Sequence, residues 1–120
     1  MEYKLHEGTV ELSIFGQPWQ VSVLSSNSPD LLVDGSFRRG ACWVGHHKIA
    51  LSMDLTDRTA PEVIGHEIAH AILASTQVTQ PDNYDEEALC EFAAFYASYI
   101  VATTDYLLKS LLKKEVGAEQ

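Results

Sequence analysis

Cysteine and positive charge are what this sequence has least of. Two cysteines, Cys42 and Cys90, stand far apart in 120 residues, which excludes a disulfide-stapled secreted scaffold and reads as reduced thiols of a cytoplasmic protein. Eight Lys and Arg face 17 Asp and Glu, a formal net charge of −9. The cations are scattered: Arg38 and Arg39, then Lys109, Lys113 and Lys114 on what reads as the solvated face of a terminal helix. Without a basic cluster to neutralise phosphates, a nucleic-acid partner is not expected. No apolar run is long enough to span a bilayer, and the opening "MEYKLHEGTV" lacks the basic and apolar regions of a secretory signal. The expectation is a cytoplasmic protein with no membrane partner.

What is present is a globular composition, 46% apolar and 21% charged over 120 residues, the size of one domain spanning 1–120. No repeat or low-complexity segment is visible. "TVELSIF" and "WQVSVLS" read as a hairpin joined through the Gly/Pro turn of "FGQPW" (15–19). "SSNSPD" (25–30) is a polar loop, and "LLVDGSFRRG" (31–40) is ambiguous around a turn at Asp34-Gly35. "ACWV" and "KIALSM" flank "GHH" as a second hairpin.

Helices follow the strands. Thr59 with Glu62 fits a capping box opening a helix that runs to about Ser75, with Val63, Ile64, Ile68, Ala71, Ile72 and Ala74 as its apolar surface. After a loop over 75–85, Asp85 is a good N-cap for a second helix at about 86–102. A third, amphipathic helix from about Thr104 to Val116 carries Leu107, Leu108, Leu111 and Leu112 on one side. Strands first and helices after predict an α+β fold.

The first helix contains "VIGHEIAHAIL" (63–73), with His66, Glu67 and His70 in the order His-Glu-x-x-His. Residues four apart share a helix face, so both imidazoles can address one ion. Glu67, one step on, cannot readily join that sphere but can take a proton from a water in the open position, the arrangement of zinc hydrolysis. With ordinary residue usage, a shuffled chain of this length would carry the pattern roughly a few times per thousand. The bland alternative is a helix with two partly exposed histidines, an odd choice among Ile, Ala and Leu neighbours.

Two histidines do not complete a zinc site. No histidine follows His70, and Thr76 stands where the longer motif has its third, so the next ligand must be a carboxylate from "DNYDEEALCEF" (82–92). Glu87 and Glu91 lie four apart, and Glu91 falls in an otherwise apolar run where a carboxylate is costly without compensation. One arrangement explains both: Glu87 binds zinc and Glu91 accepts a proton from the second nitrogen of a ligand histidine. The swap, with Glu91 as ligand, is the alternative. Glu86 is the third choice and otherwise a first-turn acid complementing the helix dipole. For a developing oxyanion the candidate donors are Tyr84 and His46 or His47. Tyr96 and Tyr99 read as core and interface aromatics. The strand "KIALSMD", if it lies at the sheet edge, could pair with an extended peptide.

The succession of "KIALS", a polar link, "VIGHEIAHAIL" and "EEALCEFAAFY" resembles the ImmA/IrrE-like group of small zinc metallopeptidases over roughly residues 41–102. The resemblance implies a minimal zincin-like domain of the gluzincin type: a small N-terminal sheet, the motif helix, a Glu-bearing helix and a C-terminal helix. It implies Zn2+ held by His66 and His70, Glu67 as general base, and a cytoplasmic protein of phage or mobile-element type. For some members it also implies cleavage or antagonism of a repressor protein. Cys90 and Glu91 stand where the family often has a small residue and Asn or Asp, so Glu86 and Glu87 both align with its ligand. The reading that follows is a metallopeptidase acting on a protein or peptide substrate. The alternative is a zinc-binding, proteolytically inactive regulatory module. A hydrolase of a non-peptide substrate is the third reading.

Overall fold

The computed structural model describes residues 5–56, 58–75 and 86–118. They form a small α+β domain. Strands β1 (Gly8–Ile14) and β2 (Gln17–Leu24) pair antiparallel, as expected. The turn is tighter than the whole of "FGQPW": Phe15 and Gly16 make it alone, both at positive φ (49° and 79°), the backbone that a two-residue hairpin matched to strand twist requires. Pro18 falls inside β2, before the parallel pairing that begins at Gln20, so its missing N–H interrupts no bond to that neighbour. Phe15 tolerates its left-handed backbone because its ring stacks on Tyr99, 4.6 Å away, and meets Tyr96 edge-on at 6.0 Å.

The ambiguous segment 31–40 is a miniature hairpin, β3 (Leu32–Val33) and β4 (Ser36–Phe37), turning at Asp34 and Gly35 with φ of 51° and 80°. β5 (Gly40–Trp43) and β6 (Lys48–Ser52) form the second expected hairpin. β6 also pairs parallel with β2, giving one four-stranded sheet in the order β1-β2-β6-β5. The expectation that "KIALSMD" could lie at the edge is therefore corrected: β6 is central and bonded on both sides, and β5 is the edge. The burial of Ile49, Ala50, Leu51 and Ser52 in succession fits an interior strand covered on both faces.

Helix α1 (Ala60–Ser75) buries Ile64, Ile68, Ala71 and Ile72 against the sheet, positions at the i, i+4, i+7 and i+8 spacing of one helical face. Its entry differs from the expected Thr59/Glu62 box. The Thr56 hydroxyl accepts from the backbone N–H of Arg58 and Thr59, both at 3.3 Å, and the Thr59 hydroxyl accepts from the N–H of Thr56 at 2.9 Å. The reciprocal cap thus sits one turn earlier, between two threonines, because the Thr59 side chain turns back instead of forward to Glu62.

The second and third expected helices are one. α2 (Glu86–Ala118) runs 33 residues without a break, about 50 Å at the α-helical rise. Thr103 and Thr104 do not interrupt it, since β-branched residues cost a helix little compared with Gly or Pro. Leu107 and Leu111 anchor it in the core beside Leu12, Ile14, Trp19 and Val21. Among the described residues no helix is long and apolar enough to cross a membrane.

α2 packs on α1 near Gly65, where an added Cβ would meet Ile100 and Thr104 at 3.6 and 3.7 Å. The buried Thr104 hydroxyl has no hydrogen-bond partner among the described residues. Thr104→Val keeps the shape and removes that unmet group, so it should stabilise the protein by about 1 kcal/mol, a rise of a few degrees in Tm. A lower Tm for this variant would show that the hydroxyl is satisfied in solution.

Candidate functional site

His66 and His70 project from the exposed side of α1, one turn apart. Their Nε2 atoms converge to 3.1 Å with the rings at 78° to one another. Two Zn–N bonds of about 2.05 Å to nitrogens this far apart would subtend about 98°, close to a tetrahedral angle. The pair therefore has the separation and direction of two donors to one ion. Burial, and then the neighbouring His66, holds the His70 pKa below the ordinary imidazole value, which favours the neutral ring that a metal needs.

Glu67 stands about 100° round the helix from His66 and turns inward, 6% exposed, at the junction of α1 and β5. Burial pushes its pKa above the ordinary carboxylate value, with His66 pulling modestly the other way. A raised carboxyl pKa moves the group towards the range useful to a general base. No described residue donates a hydrogen bond to it. Beside it on β5, the free, half-buried thiol of Cys42 is pushed up to about 12 by burial and by the Glu67 carboxylate. In the metal-free protein Cys42 is thus a neutral thiol at physiological pH.

The two histidines, Glu67 and Cys42 open onto one cleft of about 310 Å³. Its other walls come from the edge strand β5 and from Val33, Arg38 and Val44. A second depression, lined by Arg39, Glu62 and Val63, shares Arg38, Gly40, His66 and Glu67 with it.

Gly40 makes this junction. A Cβ there would stand 2.8 Å from Val63 Cγ1, 2.9 Å from Glu67 Oε2 and 3.1 Å from Glu67 Cγ. Only glycine lets the strand lie this close to the helix while the carboxylate stays where it is. Gly40 has one local signal in the sequence, its place between "FRR" and a strand. Arg38, beside Arg39, has the sequence appearance of a scattered surface cation and no local sign of a place in the cleft.

The expected oxyanion donors fare differently. His47 lies against β2, its ring stacked on Trp19 at 4.7 Å and 4° and its Nδ1 3.3 Å from the Pro18 carbonyl oxygen. Its role is to close the β5–β6 turn with a left-handed backbone, φ 51°, and His46 is exposed in the same turn. Neither lines the cleft. Tyr84 and the expected N-cap Asp85 lie outside the described residues. Tyr96 and Tyr99 are half-buried aromatics packed on Phe15, as expected.

Glu86 opens α2, so Glu87 and Glu91 stand one helical turn apart on its N-terminal stretch, while the side chains of all three acids lie outside the described residues. Among the described residues, no group of three or more His, Cys, Asp or Glu side chains gathers in metal-holding geometry. No family model, curated protein or solved structure matches this chain.

Proposed function

We propose that this chain is a zinc-dependent metallopeptidase of the ImmA/IrrE-like kind, hydrolysing peptide bonds of a protein substrate. The single observation that carries the reading is the convergence of His66 and His70 Nε2 at 3.1 Å beside the buried Glu67. His66 and His70 would hold the ion, with Glu87 as the third ligand and Glu91 orienting a ligand histidine or exchanging roles with it. Zinc, when bound, polarises a water and the scissile carbonyl.

The chain's own residues do the rest. Glu67 takes the water's proton, helped by a burial that keeps its basicity above that of a solvated carboxylate. It then carries that proton to the leaving amine. β5 offers a free strand edge along the cleft, so an extended peptide can add to it by main-chain hydrogen bonds and pass its scissile bond before Glu67. That role belongs to β5 and not to β6, whose edges are both occupied.

The test is metal content together with hydrolysis of a denatured protein substrate. The full chain should bind one zinc, and His66→Ala or His70→Ala should each weaken it at least a hundredfold. Glu87→Ala should weaken it strongly too, whereas undiminished zinc in that variant moves the ligand to Glu91 or Glu86. Absence of zinc from the reconstituted wild-type protein would sink the proposal. Stoichiometric zinc without hydrolysis would favour the inactive regulatory module instead.

A further inference from the structure

The β3–β4 hairpin borders the cleft, yet hydrolysis has no use for it. Its two-residue strands leave Leu32, Val33 and Phe37 exposed. Val33 faces the cleft together with Val44, itself 45% exposed. Arg38 follows β4 directly. Its backbone N–H donates to the Leu31 carbonyl at 2.7 Å, and Leu31 is fully buried, so the arginine leaves a fixed point of the chain.

Arg38 lines both depressions that contain His66 and Glu67. Among the described residues, no carboxylate lies within 4 Å of the guanidinium of Arg38 or Arg39. In a chain of net charge −9, two arginines thus stand next to the cleft with no ion-pair partner among the described residues. A guanidinium pairs with a carboxylate through a planar, two-toothed fork. The rest of the acidic surface repels an anionic ligand, so the field favours its approach at these arginines.

We propose that this corner of the cleft is a specificity subsite for an acidic side chain adjoining an apolar one in the peptide substrate. Arg38 takes the carboxylate, and the wall of Val33 and Val44 takes the apolar neighbour. The inference rests on the reading of the cleft as a peptide-binding groove and adds a substrate class to it. Two cations are too few for a nucleic-acid backbone, and the exposed valines beside them suit a side chain better than a free inorganic anion.

The test uses three N-acetylated, C-amidated octapeptides differing only in Glu, Gln or Lys beside a leucine. Binding is read on the zinc-supplemented full-length Glu67→Gln protein, which leaves the peptide intact, with Arg38→Ala and Arg38→Glu made in that background. The Glu peptide should bind about fivefold tighter than the Gln peptide, and 0.5 M salt should narrow the gap. Arg38→Ala should bring the ratio to about one, and Arg38→Glu should turn the preference to the Lys peptide.

Equal affinity for the Glu and Gln peptides overturns the subsite, as does an unchanged ratio in Arg38→Ala or failure of all three peptides to bind. If a free C-terminal carboxylate restores the preference lost with Gln, the acid recognised is the chain end and the side-chain assignment falls. Hydrolysis by the wild-type protein is scored separately. A Glu preference in binding without cleavage would end the peptidase reading and leave the subsite standing, and cleavage without preference would do the reverse.

Discussion

Glu67→Gln should abolish hydrolysis and at the same time make the metal-free protein more stable at neutral pH. In the proposed mechanism Glu67 is the group that would accept the proton of the attacking water, and its removal costs on the order of a thousandfold in kcat. Zinc should be retained, because His66 and His70 are untouched. The gain in stability follows from burial. The Glu67 carboxyl is 6% exposed and receives no hydrogen bond from a described residue, and its pKa is raised chiefly by that burial. A carboxyl whose folded pKa lies above its unfolded one binds its proton more tightly when folded. Its contribution is fully present below the unfolded value of about 4.3 and is lost as pH rises through the folded value.

The neutral amide carries no such penalty. The Tm of Glu67→Gln should therefore exceed that of the metal-free wild type by several degrees at pH 7, and the two should converge near pH 4. Thermal melts across that pH range, run beside a peptidase assay, read both effects. A variant that keeps more than a tenth of the activity, or that melts lower than wild type at pH 7, would remove Glu67 from the role given to it.

Gly40→Ala should be as damaging without touching any donor atom. The methyl group would need to occupy space 2.8 Å from Val63 Cγ1 and 2.9 Å from Glu67 Oε2, so either β5 retreats from α1 or Glu67 rotates. Overpacking of this kind costs about 1–3 kcal/mol of stability. A shift approaching 1 Å at a reacting group costs about a hundredfold in rate. The two losses separate by a second change. Val63→Ala in the Gly40→Ala background removes the clash with the valine but not the one with the carboxylate. Stability should return for the most part and activity should not. Wild-type kcat in Gly40→Ala would show that the approach of strand to helix has no bearing on Glu67.

How much of this was legible depended on whether the signal was local. The motif helix could be read almost to its last residue, because Ile64, Ile68 and Ile72 repeat at the helical period and His66 and His70 share a face by the same arithmetic. Both larger hairpins were legible from their turns. The parallel union of β2 with β6 was not: it joins Gln20 to Lys48 and Val21 to Ile49 across an intervening hairpin, and no local pattern records it. The edge position therefore passed from β6 to β5. The cap moved from Thr59 to Thr56 because two threonines three apart can satisfy each other, a pairing that the familiar Thr-to-Glu pattern obscures. At the site, the histidines and Glu67 were visible as a spacing. Gly40 and Arg38 belong to it only because a strand folds back on that helix.

The continuity of α2 has a consequence for which changes in chain length it can absorb. Its N-terminal acids and its core anchors, Leu107 and Leu111, lie on one rod with no joint between them. Inserting one residue anywhere between Glu91 and Leu107 would turn the acidic end by about 100° and advance it by about 1.5 Å relative to those anchors. Seven residues would restore its phase almost completely, but would displace it by about two turns. Point substitutions along the exposed side of this helix should be tolerated freely, whereas single-residue insertions or deletions should not. In the proposed site, the middle of α2 would set the angular phase of those acids, which depends on the number of residues more than on their identity.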